Sequence, residues 1–220
     1  MAKDLAIILN NGGLNAAVVT SLAAQKYRPI LLFVETGAAA ATRGRAAYDQ
    51  QVAHFKPYRE HTLNMSYLSM LHSPADSHQV DPRQTGLLAP QLLSLLPIIS
   101  AASSFAAYYQ AAAVYLGLRI GPSGDELSRA SEYVQIINEL LQMPCGQVDL
   151  EVLTPLLELE PWQVVDLGFQ VGAPFERTWS CVGDGPEPCG ACRGCRGRDA
   201  AFQQAAKPDP LRAIGKVRSA

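Results

Sequence analysis

Leu5-Ala6-Ile7-Ile8-Leu9 is a short, continuously apolar run, the pattern of a strand buried on both faces of a parallel sheet. Asn10-Asn11-Gly12-Gly13 breaks it. Apolar residues at 14, 18 and 22 then recur at helical spacing, which predicts a helix over 14–24. Pro29 to Val34 is a second apolar run. Strand, glycine turn, helix and strand within about 35 residues make a βαβ unit, hence a parallel sheet covered by helices.

The remaining pattern extends this alternation. Residues 39–55 predict an alanine-rich helix whose Arg43, Arg45 and Asp49 form a solvated face. From His54 to Thr85 the pattern is weak: a surface loop with one short strand, holding His61, His72 and His78 at no metal-like spacing. Residues 92–109 predict a buried helix bent at Pro97, and 112–118 a strand. Gly121-Pro122-Ser123-Gly124-Asp125 follows at the carboxyl end of that strand, where open α/β sheets place ligands. A helix over 126–142 turns Leu127, Tyr133, Ile136, Ile137, Leu140 and Leu141 inward, and 148–152 forms a further strand. Pro161 suits the first turn of a helix that runs to about Val171 and ends near Gly172. No internal repeat is present. The expected architecture is doubly wound α/β, with a mainly parallel five-stranded sheet and helices on both faces. Its glycine turn and the 121–125 loop face one cleft.

Composition changes little in this picture. The 220 residues carry a net charge of −2 and a pI of about 6.1, which gives no electrostatic footprint for nucleic acid. No charged residue lies between Arg83 and Arg119, a stretch long enough to span a membrane. Pro90, Gln91, Pro97, Gln110 and Ser94, Ser100, Ser103 and Ser104 interrupt it, so a broken helix followed by a strand is expected and no membrane contact. The amino terminus runs straight into the first strand with no room for a signal peptide's apolar core, which points to the cytoplasm.

The cysteines change it more. Four of the five are Cys181, Cys189, Cys192 and Cys195, with seven, two and two residues between them. Pairs two residues apart let one short turn bring both sulfurs to a tetrahedral ion; a disulfide pair is the alternative. A four-thiolate zinc site leaves no position for a reacting water, so the metal would be structural. Cys145, between Pro144 and Gly146, reads as a packed thiol.

Thr154-Pro155-Leu156, the segment Gln163-Val164-Val165-Asp166-Leu167-Gly168, Gly172-Ala173-Pro174 and Thr178-Trp179-Ser180-Cys181 with its three following cysteines stand in an order that resembles the 7-cyano-7-deazaguanine synthase family. These are queuosine-pathway ligases built on the PP-loop nucleotide-binding fold. The resemblance is close over about a quarter of the chain. It implies an α/β nucleotide-binding domain over 1–175, a zinc-binding region over 176–206 and a tail from 207 to 220, expected to be loosely held. It also implies ATP and magnesium as cofactors and a homodimer. The uncharged segment 87–115 reads equally as such an interface or as a buried core helix.

The implied nucleotide loop is Asn11-Gly12-Gly13-Leu14-Asn15-Ala16, where the family has Ser-Gly-Gly-Leu-Asp-Ser. Gly12 and Gly13 keep the backbone able to turn N–H groups toward a phosphate, while Asn15 replaces a carboxylate and Ala16 a hydroxyl. Alone, the same stretch is also an ordinary strand-to-helix turn. Arg43 and Arg45 are the nearest suppliers of positive charge, and no general base can be assigned. Three functions follow. The first is the family's reaction: ATP activates 7-carboxy-7-deazaguanine as an acyl adenylate, ammonia gives the amide, and a second activation and dehydration give the nitrile. The second is a non-catalytic or repurposed relative that binds a nucleotide, a modified base or a protein. The third is a nucleic-acid binder using Arg193, Arg196 and Arg198, although Asp184, Glu187 and Asp199 flank them.

Overall fold

A computed structural model describes residues 4–37, 41–71, 88–122, 124–142, 150–183 and 185–212. Five strands form one sheet: β1 (Leu5–Leu9), β2 (Arg28–Glu35), β3 (Arg59–Asn64), β4 (Ala113–Leu116) and β5 (Glu151–Leu153). Their order is β3-β2-β1-β4-β5 and every pair is parallel. The chain moves outward from β1 to β3, then returns to the other side of β1. The carboxyl ends of β1 and β4 therefore flank the switch point, where doubly wound sheets open a crevice.

Alternation along β1 divides the core in two. Ala6 and Ile8 face the helices α1 (Leu14–Lys26), α2 (Ala41–Phe55), α5 (Pro161–Gln170) and α6 (Arg193–Gln204), meeting Val18, Val19, Tyr48, Val164, Val165 and Phe202. Ile7 faces α3 (Leu88–Tyr109) and α4 (Asp125–Gln142), where Ile99, Ala102, Ala106 and Ile137 pack. Both sides of the central strand are dry, which is why its sequence is apolar throughout rather than alternating.

Three expectations change. On α4, Ile137 is buried while Ile136 and Leu140 are 54% and 50% exposed. The inward stripe is Ala130, Tyr133, Ile137 and Leu141, with Ile137 in the core against the sheet and Ala130 against Leu157, and residues 136 and 140 lie one step around the helix from it. On α2, Arg45 is exposed and paired with Asp49, but the Arg43 guanidinium lies over the Trp179 ring, 5.7 Å from its centroid. The tail begins anchored, since Asp209 is paired with Arg198 and both side chains are buried.

β3 supplies the short strand expected in the weakly patterned region, and its His61 packs against Phe105 with Nε2 2.7 Å from the Tyr109 hydroxyl. α3 continues through Pro97. Cys145, His72, His78 and residues 148–149 lie outside the described residues. Among the described residues no helix is long and apolar enough to cross a membrane.

Gly12 is a tight joint at the centre of the fold. Its φ is +77°, and a Cβ there would meet the Gly44 carbonyl oxygen at 2.1 Å and the Tyr48 nitrogen at 2.9 Å. Gly12→Ala should destabilise the protein by about 1–3 kcal/mol through overpacking and backbone strain. The check is urea unfolding, with a lower midpoint at an unchanged slope.

Candidate functional site

The turn after β1 is held by buried polar side chains. Asn10 is 2% exposed. Its amide donates to the Thr20 hydroxyl at 3.0 Å and to Gln51 Oε1 at 2.9 Å, and its Oδ1 accepts from the Gly12 N–H at 2.8 Å. Gln51, fully buried on α2, donates to the carbonyls of Gly12 and Arg177, each at 3.1 Å. The backbone N–H of Trp179 reaches the same Gly12 carbonyl at 2.9 Å. One carbonyl thus joins the turn to α2 and to the segment before the cysteines.

The loop's donors are not disposed as the glycines alone suggest. The Gly12 N–H is bound by Asn10, and the Gly13 N–H by Asn11 Oδ1 at 3.0 Å. The remaining donors are the first-turn N–H groups of α1, at Leu14, Asn15 and Ala16, which helix geometry leaves without an i−4 carbonyl inside the helix. Asn15 turns its amide to the Gly117 carbonyl at 3.2 Å, tying α1 to the segment after β4. Ala16 is buried.

A cavity of about 480 Å³ lies at the carboxyl ends of β1 and β4. Leu9, Leu32, Val34, Leu95, Ile98, Leu116 and Leu118 form apolar walls, while Asn10, Asn11, Asn15, Thr36 and Ser180 supply polar edges and Gly13, Leu14 and Ala16 a third side. Among the described residues, none of its lining side chains is charged. Arg43 and Arg45 are absent from the lining: Arg43 lies over Trp179 and borders a separate cavity of about 570 Å³ with Arg177, and Arg45 reaches Asp49 and Thr62. The 121–125 loop leaves the carboxyl edge of β4, but the cavity is walled by residues 116–118 instead. The N–H groups of Ile120 and Gly121 are drawn to the Leu157 carbonyl at 2.9 and 3.0 Å.

The four cysteines meet beside this cavity. The sulfurs of Cys181, Cys189, Cys192 and Cys195 all lie within 4.8 Å of one another, a group able to hold a metal ion. Cys189 and Cys195 sulfurs are 4.0 Å apart, and those of Cys192 and Cys181 3.8 Å. Cys181 Sγ accepts from the N–H groups of Gly183 and Cys189, and Cys192 Sγ caps α6 by accepting from the Cys195 N–H. Backbone N–H groups of Val182 and Cys195 pull the Cys192 thiol down to about 6, whereas burial pushes Cys195 up to about 12. A bound cation removes this opposition, because all ligands bind as thiolates. Arg198, a candidate phosphate contact in the sequence, is buried against Asp209 and Thr178 and is closed to nucleic acid.

A parallel sheet in this order, with a glycine turn after its central strand and a crevice at the switch point, defines a PP-loop-type α/β protein. The U34-tRNA thiolase NcsA from Methanococcus maripaludis, solved with its [4Fe-4S] cluster, shares the fold with a TM-score of 0.53 and 11% identity, covering 93% of this chain and 68% of that one. The family model described as queuosine biosynthesis protein QueC matches residues 5–206, and the chain belongs to that family. Among relatives, the 7-cyano-7-deazaguanine synthase of Chloroherpeton thalassium is 26% identical over 215 residues, 94% of this chain and 95% of that one. That of Acaryochloris marina is 35% identical over 123 residues, 51% of this chain and 53% of that one.

Sequence reasoning missed Gln51 and Asp209, and placed Asn10 only in a turn and Arg198 only as a nucleic-acid contact. Asn10 carried a signal, being a polar residue directly after a buried strand. Gln51 carried none, because its burial depends on where α2 crosses the turn.

The cluster makes its own test. Chelation should lower the melting temperature, since ligand-held metal contributes folding free energy. Cys189→Ser should lower metal content, read by elemental analysis of the purified chain against one ion per chain.

Proposed function

We propose that this chain is a 7-cyano-7-deazaguanine synthase: it uses ATP to convert 7-carboxy-7-deazaguanine and ammonia to the nitrile. The observation that carries this reading is the cavity at the switch point. It is closed by Trp179-Ser180 in a chain that matches its family from residue 5 to 206. The seven aliphatic walls suit the faces of a planar heterocycle, and Asn11, Asn15, Thr36 and Ser180 suit its polar edge.

An adenine nucleotide fits this lining in part. Its ring suits the apolar walls, and the amino end of α1, at Leu14 to Ala16, offers one phosphate N–H donors and a favourable dipole. Asn11 to Ala16 are the residues assigned to it, with magnesium to balance the remaining charge, because the described walls carry none. ATP, when bound, supplies activation of a carboxylate toward attack by ammonia. The chain's own contribution is to orient the heterocycle, keep water from its faces, and hold α1 against the β4 side through Asn15.

For the metal, zinc is the proposal. A tetrahedral site with Zn–S bonds of about 2.3 Å places its sulfurs about 3.8 Å apart, close to the 3.8 and 4.0 Å separations here. A cluster that gave each thiolate its own iron would hold them farther apart. Residues 1–175 form the nucleotide-binding unit, 176–206 the zinc region and 207–220 the tail in this reading. It also takes the protein as a cytoplasmic homodimer with small-molecule substrates.

The direct test supplies 7-carboxy-7-deazaguanine, ammonium, magnesium and ATP, and follows the product by mass spectrometry. Nitrile formation that requires each component is expected. Absence of both nitrile and pyrophosphate would overturn the reading. A second measurement addresses the loop. Ala16→Ser returns a hydroxyl donor at the first turn of α1 and should tighten ATP binding by about 10-fold to 100-fold. Asn15→Asp should help only with magnesium, since it removes the donor to Gly117 and adds negative charge beside a phosphate. Calorimetric titration with and without magnesium checks both.

A further inference from the structure

Among the described ion pairs, only Arg198 with Asp209 is buried, at 5% and 6% side-chain exposure. The guanidinium grips the carboxylate with two donors, Nε to Oδ2 at 2.6 Å and Nη2 to Oδ1 at 2.8 Å. Its remaining reach is directed at the cavity's closing segment. Nη1 donates to the Thr178 hydroxyl at 2.6 Å and lies 3.5 Å from the Ser180 hydroxyl, and Nη2 also donates to the Phe175 carbonyl at 2.9 Å. Thr178 in turn donates to that carbonyl at 2.7 Å.

The pinned segment touches the site at two points. The Trp179 N–H holds the Gly12 carbonyl, and Ser180 lines the cavity. On its other side the first turn of α6 presses directly on it, for a Cβ on Gly194 would fall 1.8 Å from the Ser180 carbonyl oxygen. Arg198 stands three residues after the ligand-group member Cys195 on the same helix. A buried ion pair is a poor source of net stability compared with apolar packing, yet its fork geometry is directional. What this pair supplies is orientation.

We propose that Arg198, braced by Asp209, is a positioning residue for the cavity: it locks Thr178 to Ser180 so that the Trp179 N–H sets the Gly12 turn. The cysteine cluster and the glycine turn are thereby mechanically linked through α6. The kinetic part of the test rests on the synthase reading; the exchange part does not.

The experiment compares Arg198→Lys and Asp209→Asn with the intact full-length protein. Arg212→Ala, which breaks only the exposed pair with Asp199, serves as control. Lysine keeps the charge but cannot serve Asp209, Thr178 and Phe175 together. Asp209→Asn keeps an acceptor and is the milder change should the first variant fold poorly. Amide exchange at Trp179 should accelerate at least about tenfold in both variants, with the amides of Ile7 and Ile8 in β1 unchanged. Metal content should stay at the level of the intact protein. KM for 7-carboxy-7-deazaguanine should rise about tenfold or more with a much smaller change in kcat, as expected when binding shape is lost rather than transition-state contacts. Unaltered exchange at Trp179, or equal acceleration at Trp179 and in β1, would overturn the proposal, the second by reducing the pair to general stability. If the intact protein makes no nitrile, the synthase reading fails while the exchange result still decides this one.

Discussion

The carbonyl of Gly12 is the point on which the rest depends. It receives the Gln51 amide and the Trp179 N–H, and the same residue's N–H is taken by Asn10. Buried polar groups without partners cost about 1–3 kcal/mol each, so this set is stable only when complete. Completing it requires α2, the β1 turn and the segment before the cysteines to arrive together. The crevice at the switch point is a consequence, since its floor is the turn and its far edge is Trp179-Ser180.

The chemistry follows from what that arrangement leaves available. Asn10 and Asn11 occupy the two N–H groups that a bare glycine loop would offer, and the described cavity walls are mainly aliphatic and carry no charge. In the proposed reading, recognition weighs toward the faces of a flat ring, with the amino end of α1 attracting negative charge. The family's carboxylate and hydroxyl at positions 15 and 16 are an amide and a methyl here. The amide has taken a structural task, bridging to Gly117. Through that bridge Asn15 ties the start of α1 to the segment after β4, the two sides of the crevice.

The carboxyl-terminal region is joined to this centre more firmly than a metal-bearing appendage needs to be. α6 starts at a cysteine cap, carries Cys195 and Arg198 on successive turns, and packs Phe202 against Phe175 with ring centroids 5.2 Å apart. Cysteine cluster, arginine hub and aromatic cluster all converge on residues 175–181. The exposed Ile136 and Leu140 lie on α4, which packs on the opposite face of the sheet from α6.

Local chemistry in the sequence determined a good deal. Five unbroken apolar residues fixed β1 as a central strand, Asn-Asn-Gly-Gly fixed a turn, and cysteine spacing fixed a cluster, because each depends on residues within a few positions of one another. A five-stranded, mainly parallel sheet with the glycine turn at its carboxyl edge was legible from the same βαβ alternation, whereas the strand order and the walling of the crevice by residues 116–118 came from the tertiary structure. The inward face of α4 was misread because Ile136 and Ile137 are equally apolar, and only the sheet's position selects one. Arg43, Gln51, Arg198 and Asp209 were beyond reach for a related reason. A charged or amide side chain is solvated by default, and its burial is decided by partners 39 or more residues away for Gln51 and by chain reversal around α6 for Arg198. The sequence determined which groups could bind a metal or turn a loop; tertiary contact decided which polar groups were withdrawn from water to hold them there.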